Sequence, residues 1–83
     1  MRLDKYLKVS RLIKRRTVAN EICTAGRVQV NGRPAKPGTE IKPGDVLEIG
    51  FGTGATRVRV LAVRDTVRKE EADTLYEILP DQP

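Results

Sequence analysis

The 83-residue sequence contains no histidine, no tryptophan and a single cysteine, Cys23. One cysteine cannot form an internal disulfide, which fits a protein of a reducing compartment, and we expect a cytoplasmic location. Without histidine, the Cys23 thiol lacks a general base and a common partner in zinc sites. The sequence therefore offers no catalytic constellation, no metal site and no cofactor site, and we predict that the protein is not an enzyme.

Long apolar runs and aromatic residues are also scarce. No stretch approaches the roughly 20 apolar residues needed to span a bilayer, and the first ten residues carry charges throughout, unlike a signal peptide. The three aromatic residues are Tyr6, Phe51 and Tyr76. Branched aliphatic side chains must therefore fill the core, and a base-stacking platform for single strands is not expected. These absences indicate one small soluble domain without a membrane partner.

The net positive charge is confined to the first part of the chain. Residues 1–36 carry ten cations and two acids, a net charge of +8, whereas residues 37–83 carry six cations and nine acids, a net charge of −3. A split of this kind indicates a polyanionic partner for the basic half. The alternatives are a solvated basic face, an anionic membrane and a partner groove. The membrane and the groove are disfavoured, because the apolar positions of residues 17–25 are needed for the core of so small a protein. Structured RNA fits better than DNA, because no long recognition helix follows a helix-turn-helix turn.

Apolar periodicity predicts two helices in the basic half. The first is expected over residues 2–8, with Asp4 in its first turn and paired with Lys8. The pattern leaves open whether this helix continues to Ile13. The second is expected over residues 17–25, with Thr17 as its N-cap. Its buried side should contain Val18, Ile22 and Ala25 at helical spacing, with Ala19 and Cys23 beside them.

Strand and turn signals follow. Asn31-Gly32 is a strong signal for a tight hairpin turn, because both residues tolerate positive φ. The remaining elements are expected as a strand over 28–30, turns around a very short strand over 33–45, a strand over 46–49 extended by Phe51, a hairpin tip over 50–54, a strand over 56–63, one or two helical turns over 67–73 and an edge strand over 76–79. The sequence therefore predicts an α+β fold, in which two or three short helices pack on a small, mostly antiparallel, twisted sheet.

An ordered set of residues between positions 2 and 48 resembles the RNA-binding domain named after small-subunit ribosomal protein S4, also called the alpha-L motif. The set comprises Arg2-Leu3-Asp4, Leu7, Arg16, Ala19, Gly26, Val28, Val30-Asn31-Gly32 and Ile41-Lys42-Pro43-Gly44-Asp45. It departs from the pattern at Arg15, where Ser is usual, at Asn20, where a basic residue is common, and at Cys23, where Ile is common. We expect an S4-like motif over 1–48, a C-terminal hairpin, short helix and edge strand over 49–79 that complete the same domain, and a tail over 80–83.

Within this family, residues 2–17 and 69–73, with Tyr76, resemble the stand-alone RqcP-type members of Firmicute-type bacteria. The resemblance implies a non-catalytic factor of ribosome-associated quality control that binds the obstructed large ribosomal subunit. Its implied partners are large-subunit ribosomal RNA, peptidyl-tRNA in the P site, and an RqcH-type protein that recruits alanyl-tRNA for C-terminal alanine tailing. Off the ribosome, the protein is expected to be a monomer. The alternatives are a general binder of structured or ribosomal RNA, such as a heat-shock S4-like protein or an assembly factor, and a targeting subunit for a separate RNA-modifying enzyme.

The predicted RNA-binding residues lie in the basic half of the chain. By position in the motif, Arg2 and Arg16 would contact large-subunit ribosomal RNA and the tRNA, and Asp4 would orient a neighbouring cation. The full predicted set is Arg2, Asp4, Lys5, Lys8, Arg11, Lys14, Arg15, Arg16, Arg27 and Arg33.

Overall fold

The computed structural model describes residues 1–51 and 54–80. In chain order, the elements are α1 (Leu3–Val9), α2 (Arg16–Thr24), β1 (Val28–Val30), β2 (Arg33–Pro34), β3 (Val46–Phe51), β4 (Gly54–Val60), a 3₁₀ helix (Lys69–Leu75) and β5 (Tyr76–Leu79). Within this range the strands form one antiparallel sheet in the order β2-β1-β3-β4-β5. The predicted α+β class is confirmed. None of the described helices is long and apolar enough to cross a membrane.

One hydrophobic core joins the helices to the sheet. Alternation along the strands directs one side of the sheet to this core, so that Val58 and Val60 of β4 are buried while Arg59 between them is exposed. Strand β3 contributes Leu47 and Ile49 in the same way. The helices contribute further buried side chains, among them Leu3, Tyr6 and Leu7 of α1, Ala19 and Cys23 of α2, and Leu75 of the 3₁₀ helix. Core residues therefore come from both the basic half and the C-terminal half of the chain.

The turn after β1 adopts the predicted conformation. Asn31 and Gly32 have φ angles of 53° and 84°, and β1 pairs with β2 directly across them. The Asn31 side chain fixes the turn to β3, because its amide donates to Asp45 Oδ1 at 3.1 Å and its carbonyl oxygen accepts from the Val46 amide at 2.9 Å. The hairpin and β3 are thereby held in register at the edge of the sheet.

Helix α1 ends at Val9 and does not continue to Ile13. Ser10 is its C-cap, and Arg11 has a φ of 63°, in the left-handed region that cannot extend an α-helix. Helix α2 begins at Arg16, with Arg15 as an N-cap whose side chain makes no capping hydrogen bond. The prediction of Thr17 as N-cap was therefore wrong, because Thr17 lies inside the first helical turn.

The buried side of α2 also differs from the predicted one. Ala19 and Cys23 are buried, whereas the Val18 side chain is 41% exposed and Ala25 is exposed as well. Ile22 is half-buried at the rim of the core. The apolar spacing identified the helix correctly, but α2 packs against α1 through its small side chains rather than its branched ones.

The C-terminal elements follow the predicted order with shifted ends. Strand β4 ends at Val60 instead of residue 63, because the amides of Leu61 and Ala62 both donate to the Leu75 carbonyl, at 2.8 and 3.3 Å, and leave the ladder. The predicted helical turns are the 3₁₀ helix, and the predicted edge strand is β5, paired with β4. Residues 52–53 of the predicted hairpin tip and residues 81–83 of the predicted tail lie outside the described residues.

Candidate nucleic-acid interface

A buried carboxylate, Asp4, lies at the centre of the basic cluster formed by α1 and α2. The Asp4 side chain is only 3% exposed. Arg2 donates to it through both arms of its guanidinium, from Nε to Oδ1 at 3.1 Å and from Nη2 to Oδ2 at 3.3 Å. Arg16 Nε lies 3.5 Å from Oδ2 on the opposite helix. One carboxylate therefore fixes two guanidinium groups that are each about half exposed to solvent.

Two further donors complete the surroundings of Asp4. The backbone amide of Lys5 donates to Oδ1 at 2.8 Å, and the side-chain amide of Asn20 reaches Oδ2 at 3.5 Å. Desolvation by itself would raise the pKa of the Asp4 carboxyl, but the hydrogen bonds from Arg2 and Asn20 and the charges of Arg16 and Arg2 outweigh it and lower the pKa below 3.8. Asp4 is consequently ionised at neutral pH and holds both arginines.

The predicted pair between Asp4 and Lys8 is not formed. Asp4 points across to α2 instead of along its own helix, because Arg2 and Arg16 offer planar donors to a desolvated carboxylate. The start of α1 is itself anchored, since the amides of Leu3 and Asp4 donate to the carbonyls of Thr39 and Pro37 at 2.8 and 3.1 Å. This anchoring sets where Arg2 enters the cluster.

The N-terminus of α2 lies beside the paired arginines. Its first backbone N–H groups lack partners within the helix and favour an anion in front of them. Arg15 precedes the helix and Arg16 begins it. A shallow cleft of about 380 Å³ lies between this end of α2 and Asp4, and is lined by Asp4, Arg16, Thr17, Asn20 and Glu21. The arrangement can bind a phosphate through guanidinium groups of fixed orientation and a helix N-terminus.

Other predicted cations lie beyond this cluster. Lys8, Arg11 and Lys14 line a second, larger cleft at the C-terminal end of α1. Lys5 is directed towards Asp65, with its Nζ 3.1 Å from Oδ1. Arg27 lies three residues beyond the far end of α2, a helix that is about 12 Å long between Arg16 and Thr24. Arg33 begins the edge strand β2. The structure thus brings Arg2, Asp4 and Arg16 together but distributes the remaining cations over several surfaces.

Cys23 has no reactive character in this environment. Its side chain is buried in the core. Burial, with a smaller effect from the Asp4 charge, raises the pKa of the thiol to about 11. The thiol is therefore protonated at neutral pH and acts as a small apolar group in the helix contact.

Comparison with known proteins identifies the family. The model of the S4 domain matches residues 1–47, more than half of the chain. The chain belongs to the S4 domain family. The predicted family resemblance is thereby confirmed.

Relatives that match this S4 domain protein over its full length have names that refer to tRNA. A protein of Halalkalibacterium halodurans, named RQC P-site tRNA stabilizing factor, is 59% identical over 100% of this chain and 94% of its own length. A Bacillus subtilis protein of the same name is 51% identical over 99% of this chain and 95% of its own. The trimeric structure of heat shock protein 15 from Vibrio cholerae superposes with a TM-score of 0.88 and 30% identity, covering 95% of this chain and 81% of that one.

Two features of the S4 domain protein's surface could not be read correctly from the sequence. Asn20 was interpreted as a loss of basic charge, yet its amide points at Asp4. Lys69 is absent from the predicted RNA-binding set, yet it lines the same cleft as Lys8 and Arg11. Spacing along the chain contains no signal for either contact, since both join elements that are distant in sequence.

Proposed function

We propose that this protein is a non-catalytic RNA-binding factor of bacterial ribosome-associated quality control. It holds peptidyl-tRNA in the P site of the obstructed large ribosomal subunit, and it acts in the cytoplasm while bound to the ribosome. It contacts large-subunit ribosomal RNA and tRNA, and works with an RqcH-type protein that recruits alanyl-tRNA for alanine tailing. The names of the full-length relatives support this role.

The observation that carries the proposal is the pair of arginines held by Asp4. A phosphate that approaches Arg2 and Arg16 meets guanidinium groups whose orientation is already fixed, so little side-chain freedom is lost on binding. The protein acts by binding one arrangement of tRNA and ribosomal RNA more tightly than others. If about five phosphates are engaged, log affinity falls with log salt concentration at a slope of roughly −3.5 to −4.5.

Sedimentation of cell extract through a sucrose gradient tests this role. Tagged wild-type protein is expected in the free large-subunit fraction together with peptidyl-tRNA, and Arg16→Ala at the top of the gradient. Arg59→Ala is the matched control, because Arg59 has the same side-chain exposure as Arg16, 48%, and the same 3.5 Å distance to a carboxylate, that of Glu77. Arg59→Ala should sediment like wild type. Wild-type protein at the top, or Arg16→Ala in the large-subunit fraction, would contradict the proposal.

A general binder of structured RNA is the second candidate, favoured by the structural likeness to heat shock protein 15. Such a protein would bind naked structured RNA as tightly as ribosomal particles. Affinities for purified large subunits with and without P-site tRNA, measured beside protein-free ribosomal RNA, separate the two roles. A preference for the tRNA-bearing subunit supports the quality-control factor, and equal affinities support the general binder.

A further inference from the structure

A basic cleft lies between the turn that ends α1 and the segment before the 3₁₀ helix. Its volume is about 480 Å³, within the range of sites that accommodate small molecules. Val9 and Val67 supply its apolar surface, and Thr66 a hydroxyl. Its charged side chains are Lys8, Arg11, Lys14, Asp65 and Lys69. Two distant parts of the chain therefore build one cationic concavity.

The turn that presents these cations is fixed by its backbone. Arg11 adopts a left-handed φ of 63°, a backbone conformation that residues other than glycine seldom adopt. The Arg11 amide donates to the Lys8 carbonyl at 3.1 Å, and the amide of Ile13 donates to the Leu7 carbonyl at 3.0 Å. Ile13 and Ser10 are buried. Arg11 and Lys14 consequently cannot move apart by local unwinding without exposing the core.

The charges in the cleft are not balanced within the protein. Among the described residues, Lys8, Arg11, Lys14 and Lys69 form no ion pair. Asp65, the carboxylate of the cleft, is engaged by Lys5 at 3.1 Å. The α1 C-terminus favours nearby cations and accounts for Lys8 and Arg11. It does not account for Lys69, which comes from another element.

From this geometry we infer that the cleft is a second phosphate-binding site for RNA, with Lys69 as one of its contacts. The inference rests on the proposed RNA-binding function and extends the RNA surface beyond the matched residues 1–47. Among the described residues, no aromatic side chain lines the cleft, so it would hold the sugar–phosphate backbone and would not stack bases. The acidic half of the chain then contributes directly to an RNA site.

Salt-dependent titrations of the intact protein test the site. Fluorescence anisotropy is followed with two labelled probes, a folded tRNA and a hairpin of large-subunit ribosomal RNA. With the probe that occupies the cleft, Lys69→Gln is expected to weaken binding about five- to tenfold at 0.1 M salt and to make the salt slope shallower by about one. Lys42→Gln, an exposed cation outside both clefts, is the matched control. The probe that responds identifies the source of the phosphate.

A second variant, Asp65→Asn, is expected to change RNA affinity in the opposite direction. Asp65→Asn removes the carboxylate from the cleft and releases Lys5, so binding is expected to tighten about two- to fivefold. Lys69 and Asp65 are exposed, and unfolding curves that match wild type confirm intact folding. Weaker binding by Asp65→Asn, or a Lys69→Gln variant that behaves like Lys42→Gln with both probes, would overturn the site. If Arg16→Ala still weakens binding in that case, the proposed function survives. If wild type and every variant fail to bind either probe, both proposals fail.

Discussion

Arg2 and Arg11 flank the same short helix, but their charges have different surroundings. Arg2 shares the buried carboxylate of Asp4 with Arg16, and its guanidinium is held in one orientation. Arg11 lies in a cleft with three lysines and forms no ion pair with a described residue. The first region has lower net charge but fixed geometry, whereas the second has higher net charge and flexible side chains.

The difference predicts two modes of phosphate contact in one protein. A paired arginine presents a defined fork of donors, which favours one geometry of the RNA backbone. Unpaired lysines attract phosphate over a range of positions, mostly through charge. We therefore expect the Asp4 cluster to determine how the RNA is oriented, and the cleft to add affinity that depends strongly on salt.

Among the variants that distinguish the two regions, the one that removes the shared Asp4 carboxylate is expected to have the largest effect, and this effect is on stability. Asp4→Asn leaves Arg2 and Arg16 without their charged acceptor, and we expect the free energy of unfolding to fall by about 2 kcal/mol. Urea denaturation at neutral pH measures it. Asp65→Asn is the matched control, since its exposed pair with Lys5 should contribute under about 1 kcal/mol. Equal stability of the two variants would show that Asp4 does not hold the cluster.

The stability difference between wild type and Asp4→Asn is also expected to depend on pH. Because the folded-state pKa of Asp4 is lowered, its stabilising contribution is fully present above the ordinary value of 3.8 and is lost as the pH falls through the lower folded-state pKa. The stability difference between wild type and Asp4→Asn should therefore narrow below that pH. Denaturation curves at successively lower pH values measure it, and a constant difference would contradict the assigned pKa shift.

Charge-preserving exchanges separate geometry from charge. Arg2→Lys keeps the charge but loses the two-armed contact with Asp4, so RNA affinity should fall about tenfold, or about 1.4 kcal/mol, with an unchanged salt slope. Lys8→Arg in the cleft should change affinity by less than about twofold, because that contact depends on charge alone. Anisotropy titrations measure both. Equal losses at the two positions would remove the distinction between the regions.

Arg15→Ser has a smaller expected effect than Asp4→Asn or Arg2→Lys, and it acts in opposite directions on stability and on RNA binding. Arg15 occupies the N-cap of α2 in an extended conformation without a capping hydrogen bond, so serine there should stabilise the protein by about 1 kcal/mol. Loss of the cation should weaken RNA binding about fivefold at low salt. Thermal unfolding and the same titrations measure the two effects. A destabilised variant would show that the Arg15 side chain has a structural role.

The local elements of this fold could be predicted from the sequence, but the contacts between them could not. Asn31-Gly32 determined its own turn, and alternation revealed β4. The predicted pair of Asp4 with Lys8 was wrong, because Lys8 is its neighbour only at helical spacing, whereas Arg16 reaches Asp4 through the crossing of two helices. The same limit applies to the cleft, where Lys69 joins α1 after more than fifty intervening residues. Periodicity also could not distinguish Ala19 and Cys23 from Val18, since all are apolar.

The carbonyl of Leu75 accepts three donors, the hydroxyl of Tyr6 at 2.7 Å and the amides of Leu61 and Ala62. The Tyr6 hydroxyl ties α1 to the last residue of the 3₁₀ helix, immediately before β5. A graft of the proposed RNA-binding surface onto another protein therefore has to include the chain through Leu79, and not only the matched residues 1–47. A shorter graft would deprive Tyr6 of its acceptor and expose the apolar side of α1, the helix that contains Asp4 and follows Arg2.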